Sequence, residues 1–365
     1  MREAFDKRGR LGLLGVRMKI FHCDHCQQLV FFENVRCVTC GHALAYLPDA
    51  GVVASLEEAG NGTWRARSAV AQGWEYRLCR NYNQANVCNW AVAKGDGHEL
   101  CVSCRLTRVI PDLKVAGNRE AWYKLEVAKR RLVYGLLSLR LPVRSQEEDA
   151  GGLAFEFLAD SGAGTLRTGH DEGVITINVA ETNDAWREWT RNKLNEPYRT
   201  VLGHFRHESG HYYWDGLIKR GGRLEAFRQM FGDERRDYTH ALEEHYATGA
   251  PTDWAARYVS EYASAHPWED WAETWAHYLH MVDTLEMAAA CGLTLQPWRR
   301  DEPQIAARGP GLGTFEQMAR DWMALTYLLN NLNRGMGLPD GYPFALSEGA
   351  VGKLRFVHEA IMGKN

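Results

Sequence analysis

The chain has 365 residues, 46 acidic against 43 basic side chains, a formal net charge of −3, and 45% hydrophobic residues. That length leaves room for two or three domains with a sizeable core. The near balance of charge argues against a broad nucleic-acid footprint, and no apolar run approaches the length of a membrane span.

Residues 1–17 hold only the short apolar run Leu11–Val16, too brief for a secretory signal. Met18, just before the first cysteines, is an alternative start to Met1, and a cytoplasmic location is expected. Cys23, Cys26, Cys37 and Cys40 then form two C-x2-C pairs ten residues apart. Thiolates at that spacing sit on two knuckle turns and close a tetrahedral zinc site. Cys79, Cys88, Cys101 and Cys104 supply a second set, with one pair stretched and the other regular. Four protein ligands fill every corner, so both zinc ions are expected to be structural. Disulfides fit poorly without a secretory signal. His22, His25, His42 and His98 flank these sites and read as surface groups; Cys291, left over, reads as packed in a helix.

A helix is expected from Asn118 to about Leu139, with Trp122, Leu125, Leu132, Leu136 and Leu139 at helical spacing. Lys124, Lys129, Arg130 and Arg131 read as its solvated face. Residues 145–152 read as a loop, and Phe155–Leu158 and Val174–Val179 as strands. The second strand could edge a cleft and pair with an extended backbone.

The central stretch is Gly203–Asp215, which contains His207-Glu208-Ser209-Gly210-His211. On a helix the two histidines lie one turn apart on one face. They can fill two corners of a zinc tetrahedron, leaving one for a third protein ligand and one for water. Glu208 can take a proton from that water and pass it to a leaving amine. Asn195-Glu196-Pro197 reads as the start of the helix and Asp215-Gly216 as its end. Further helices are expected at about 223–231, 237–247, 252–264, 268–289, 314–333 and 348–361, with a Gly/Pro/Arg-rich loop at 297–313.

For the third ligand, Trp214 and Leu217 occupy the positions where a metzincin would carry glycine and a further ligand. A later helix offers Glu269 and Glu273 one turn apart, followed by His277 and His280. One carboxylate can bind zinc while the other accepts the N–H of a ligand histidine. His240, His245 and His266 are rival ligands, but only the glutamate pair also brings a supporting acid. His204 and Asp215 can stand behind the ligand histidines.

His207-Glu208-Ser209-Gly210-His211 followed by Glu269-x-x-Ala272-Glu273 resembles the gluzincins. It looks closest to a bacterial family of zinc-binding metallopeptidases with an N-terminal zinc-ribbon region. The resemblance runs through most of the chain, including Met336–Asp340 near its end. It implies Glu269 as zinc ligand and Glu273 as its support. Relatives such as the lethal-factor-like peptidases have a tyrosine near the third ligand that stabilises the oxyanion; Tyr262 is the matching residue, with Tyr258 behind it.

The expected architecture is α+β: two zinc-ribbon modules (18–110), a helical connector (111–149), and a zincin-like, mostly helical metallopeptidase domain with a small edge sheet (150–365). The expected activity is hydrolysis of peptide or isopeptide bonds, with one catalytic and two structural Zn2+. Peptide or protein is the substrate class, the ribbons are a candidate recruitment surface, and neither nucleic acid nor membrane is expected. Two rival readings are a zinc-ribbon adaptor that binds without cleaving and a SprT-like nucleic-acid-associated protease. The intact Glu208 disfavours the first; ribbon order, a glutamate ligand and charge disfavour the second.

Overall fold

The computed structural model describes residues 20–159, 168–193, 199–306 and 313–363. Met18, Asn195-Glu196-Pro197 and part of the 297–313 loop lie outside them. The architecture is α+β. The first cysteine set follows a two-residue hairpin, Phe21–His22 against Leu29–Val30.

From the end of the first cysteine set into the second runs an antiparallel five-stranded sheet that the sequence reading did not anticipate, its last strand falling between Cys88 and Cys101. Its strands are β1 (Ala43–Leu47), β2 (Val52–Gly60), β3 (Thr63–Ala66), β4 (Glu75–Leu78) and β5 (Ala91–Ala93), in sequential order. Turns at Gly51 and at Asn61-Gly62 adopt positive φ and let each strand fold back on the last. Leu44, Tyr46, Val53 and Trp90 are buried in one continuous core with the cysteines.

A second, mixed sheet has the order β8-β9-β7-β6. Here β6 is Thr107–Val109, β7 is Ala154–Leu158, β8 is Gly169–Asp171 and β9 is Val174–Asn178. The two inner pairings are parallel, and β8 turns back antiparallel to β9 as the outer strand. Strand β6 begins three residues after Cys104, so the segment carrying the second cysteine set enters the same sheet as the C-terminal half. Helix α1 (Asn118–Ser138) crosses that junction.

The basic residues of α1 correct one expectation. Lys129 and Arg130 are not solvated; they are 0% and 2% exposed. Lys129 donates to Glu126 at 2.9 Å and to the hydroxyl of Thr107, and stands over the rings of Phe155 and Phe157. Arg130 donates to the carbonyl of Val87, beside Cys88. Lys129 is matched by the buried Glu126 carboxylate, and Arg130, 3.7 Å from the same carboxylate, also feels the charge of Cys88, Cys101 and Cys104.

The remaining helices are α2 (Asp184–Lys193), α3 (Val201–Trp214), α4 (Leu224–Phe231), α5 (Tyr238–Thr248), α6 (Pro267–Ala290), α7 (Phe315–Gly335) and α8 (Glu348–Met362). Helix α3 starts later than expected: Thr200 is its cap, its hydroxyl accepting from Gly203 N at 2.9 Å. Asp215-Gly216 does not end it; the chain continues as a π turn over Asp215–Lys219. The helix expected over 252–264 breaks into two short turns, Trp254–Arg257 and Tyr262–Ser264. Cys291 caps the C-terminus of α6 and is exposed instead of packed. No helix among the described residues is long and apolar enough to cross a membrane.

Candidate active site

Helices α3 and α6 pack so closely that any side chain at one glycine would have to push its neighbours aside. A Cβ on Gly210 would stand 3.0 Å from the Ala272 Cα and 3.1 Å from the Trp275 ring. Two indoles lock the contact: Trp271 Nε1 donates to the Gly210 carbonyl at 2.8 Å, and Trp275 Nε1 to the Ser209 hydroxyl at 3.0 Å. Gly210→Ala should force the helices apart and cost about 1–3 kcal/mol, read as a lower urea midpoint. An unchanged midpoint would mean the contact has slack.

This packing sets Glu269 of α6 against the histidines of α3. His207 Nε2 is 3.0 Å from Glu269 Oε2, and His211 Nε2 is 3.4 Å from Glu269 Oε1. Glu208 is in the same group, with one donor atom of each of His207, Glu208 and His211 within 4.8 Å of the others. Ligand atoms bonded to one tetrahedral zinc stand roughly 3.3–3.5 Å apart. The 3.4 Å distance matches that spacing and the 3.0 Å distance lies slightly inside it, each histidine facing a different oxygen of Glu269. Glu269 Oε2 is buried and makes no well-formed hydrogen bond, despite its 3.0 Å approach to His207. Two acceptors facing each other across that gap suit a cation between them. Burial works against the charge on His207, but the carboxylates of Glu269 and Glu273 outweigh it and hold the ring well above its ordinary pKa.

Glu273, one turn after Glu269, reaches the other nitrogen of His207: Nδ1 is 2.7 Å from Oε1. Its second oxygen accepts from the Ser260 hydroxyl at 2.6 Å. Burial alone would raise the Glu273 pKa, but His207, His277 and Ser260 together hold it below the usual carboxylate range. An ionised Glu273 takes the proton on Nδ1 and leaves the Nε2 lone pair of His207 for an ion. Ser260 sits in the break between the two short turns, where a continuous helix would have turned its hydroxyl elsewhere.

The other expected residues are dispersed. Tyr262 has its ring centroid 6.1 Å from that of His207. Tyr258 instead covers the Lys353 ammonium at 4.0 Å. His204 Nε2 stands 3.3 Å from Glu181. Asp215 makes no hydrogen bond to His211, whose Nδ1 is buried without a partner. His266 uses both nitrogens on backbone: Nδ1 accepts from Trp268 N, and Nε2 donates to the Arg236 carbonyl. His277 pairs with the Tyr342 hydroxyl at 2.8 Å, and His280 packs against Trp322 and Tyr342.

Three neighbours escaped the sequence reading. Tyr238 donates from its hydroxyl to Glu269 Oε1 at 2.6 Å. Ser260 holds Glu273. His170, on the outer strand β8, lies near-parallel to His211 at 6.3 Å, and burial with His211 nearby pushes it down to about 4, so the ring is neutral. None of the three sits in a periodic pattern that would have singled it out.

The cysteines form two clusters. Cys23 and Cys40 have sulfurs 3.5 Å apart, as do Cys26 and Cys37, while Cys88 and Cys101 stand 3.8 Å apart. All nine cysteines are free, and each set of four has its sulfurs within 4.8 Å of one another. Disulfide sulfurs would sit at about 2.05 Å; sulfurs on one zinc stand roughly 3.8 Å apart.

Residues 118–360 match the model of the family described as "Putative zinc-binding metallo-peptidase". The chain belongs to this metallopeptidase family. Residues 20–115 match a zinc-ribbon domain, so a zinc-ribbon region precedes the metallopeptidase region and contains both cysteine clusters. Similar proteins include an uncharacterized protein of Mycobacterium bovis and uncharacterized proteins of two Mycobacterium tuberculosis strains. Each is 42% identical over 347 residues, covering 94% of this metallopeptidase and 95% of the relative. No solved structure matches the chain.

Proposed function

We propose that the protein hydrolyses peptide or isopeptide bonds at a zinc ion held by His207, His211 and Glu269, in the manner of a gluzincin within a zincin-like domain. The observation that carries this reading is the convergence of His207 Nε2 and His211 Nε2 on one carboxylate, at 3.0 and 3.4 Å, with Glu208 in the same group. A zinc ion there would polarise the scissile carbonyl and make a water more acidic.

The chain's own residues do the rest. Glu208 takes a proton from the attacking water as its oxygen bonds to the carbonyl carbon. It then gives that proton to the leaving nitrogen as the C–N bond breaks, yielding a carboxylic acid, which keeps the water's second proton until it ionises to solvent, and an amine. Tyr262 donates to the oxyanion from beside His207. Glu273, held by Ser260, keeps the His207 ring in one tautomer and one orientation. The two cysteine clusters hold structural zinc. Nine free thiols suit a reducing compartment, in keeping with the cytoplasm.

The test is metal content by mass spectrometry on the full chain, with a mixed peptide library run alongside. Wild type should hold about three zinc ions and Glu269→Ala about two, by the ligand counts of the three sites. About two in both, with no cleavage by wild type, would leave only the ribbons metallated and turn the reading to a binding adaptor.

A further inference from the structure

The hydrolytic scheme leaves one partner of Glu269 without a task. The Tyr238 hydroxyl donates to Oε1 at 2.6 Å, while Oε2 faces His207 Nε2 at 3.0 Å. A carboxylate beside zinc can bind through one oxygen or through both. Binding through both takes up a position that a water or a substrate carbonyl needs. A hydroxyl donated to Oε1 occupies that oxygen and favours attachment through the other.

Tyr238 arrives on an element with little else to hold it. Helix α5 buries only Ala241. It is bracketed by Gly232 and Gly249, with φ of +104° and +78°, values that glycine adopts without strain. The contacts at its two ends reach the site: Tyr238 meets Glu269 and the rings of His266 and Trp268, and His245 meets the ring of Tyr262. Meanwhile the site is nearly closed to solvent. The side chains of His207 and Glu269 are 13% and 1% exposed, and Glu208 and His211 are 7% and 6% exposed. A peptide bond reaches Glu208 only after some element withdraws, and α5 is the least anchored element beside it.

We propose that Tyr238 is a positioning residue for Glu269, carried on a hinged helix. With α5 closed, its hydroxyl holds Oε1 and keeps Glu269 a one-oxygen ligand; the outward swing of α5 admits substrate. This rests on the assignment of Glu269 as a zinc ligand made above.

The test compares wild type, Tyr238→Phe and Glu269→Ala as full-length, zinc-loaded chains. Chelator competition measures zinc affinity at the histidine site, with ribbon zinc as an internal reference. Hydrogen exchange follows the α5 amides. Cobalt placed in the histidine site alone reports coordination number through its visible bands, which weaken as four-coordinate becomes five-coordinate. Tyr238 is 37% exposed, so losing one hydroxyl should leave the fold intact. Tyr238→Phe should loosen zinc at the histidine site by about ten- to a hundredfold, speed exchange in α5, weaken the cobalt bands and leave ribbon zinc unchanged. Wild-type affinity and cobalt spectrum in Tyr238→Phe would overturn the proposal, even with faster exchange in α5. If Glu269→Ala loses its zinc in that same experiment, the ligand assignment stands and only the role of Tyr238 falls. If Glu269→Ala keeps wild-type affinity, both fall together.

Discussion

Glu208→Gln is expected to slow peptide cleavage by about two to four orders of magnitude while the chain keeps all its zinc. The amide matches the carboxylate in size, so the packing of α3 on α6 is undisturbed. What is lost is the ability to accept a proton. Glu208 makes no hydrogen bond to another described residue, and its charge is felt by His207, Tyr238 and Tyr262. A carboxylate only 7% exposed is costly to keep for structure alone, and the amide fills the same space, so the melting temperature should change little. Thermal melting beside a cleavage assay gives both readings. A variant that cleaves at the wild-type rate would take Glu208 out of the proton transfer.

The second large effect is expected from the second cysteine cluster. Cys88→Ser should destabilise the whole chain, whereas Cys26→Ser should disturb only its own ribbon. Cys79, Cys88, Cys101 and Cys104 are all buried, and strand β6 follows Cys104 directly into the sheet that carries β7, β9 and β8. Losing the metal would take away the thiolate charge that Arg130 feels and leave Glu126 to balance both Arg130 and Lys129, and the metal's own contribution to folding would be lost as well. Cys26, by contrast, is partly exposed and lies far from that sheet in sequence. Urea unfolding followed by hydrogen exchange at the α3 and α6 amides, which report on the C-terminal half alone, separates the cases. Equal midpoints for the two variants would show that the second cluster does not brace the catalytic half.

Much of the site was legible because its spacing is the helix period. His207 and His211 repeat at four residues, as do Glu269 and Glu273, and each pair must share a face on any helix. The cysteines were legible because their spacing matches the knuckle turn. Elsewhere the signals were ambiguous. A run of Lys and Arg on a helix means solvent in most proteins, and only the fold buries Lys129 and Arg130 against Glu126. Helix α3 is capped by Thr200, whose side chain competes as a start signal with Asn195, outside the described residues. Strands β1–β5, apart from the nine-residue β2, are short and rich in alanine, so their alternation was weak. Tyr238 and Ser260 lie outside both motifs and carry no local signature of what they touch.

The shared sheet has a consequence for how the protein is made. A ribosome adds roughly 5–20 residues each second, so both cysteine clusters emerge well before His207. Strand β6 waits for β7, and β7 for β9, before the floor beneath α3 exists. Each of those steps lies downstream of Cys104. Without zinc at the second cluster, β6 would therefore enter that sheet from an unsettled segment, and the surface on which His207 and His211 are placed would form late or not at all.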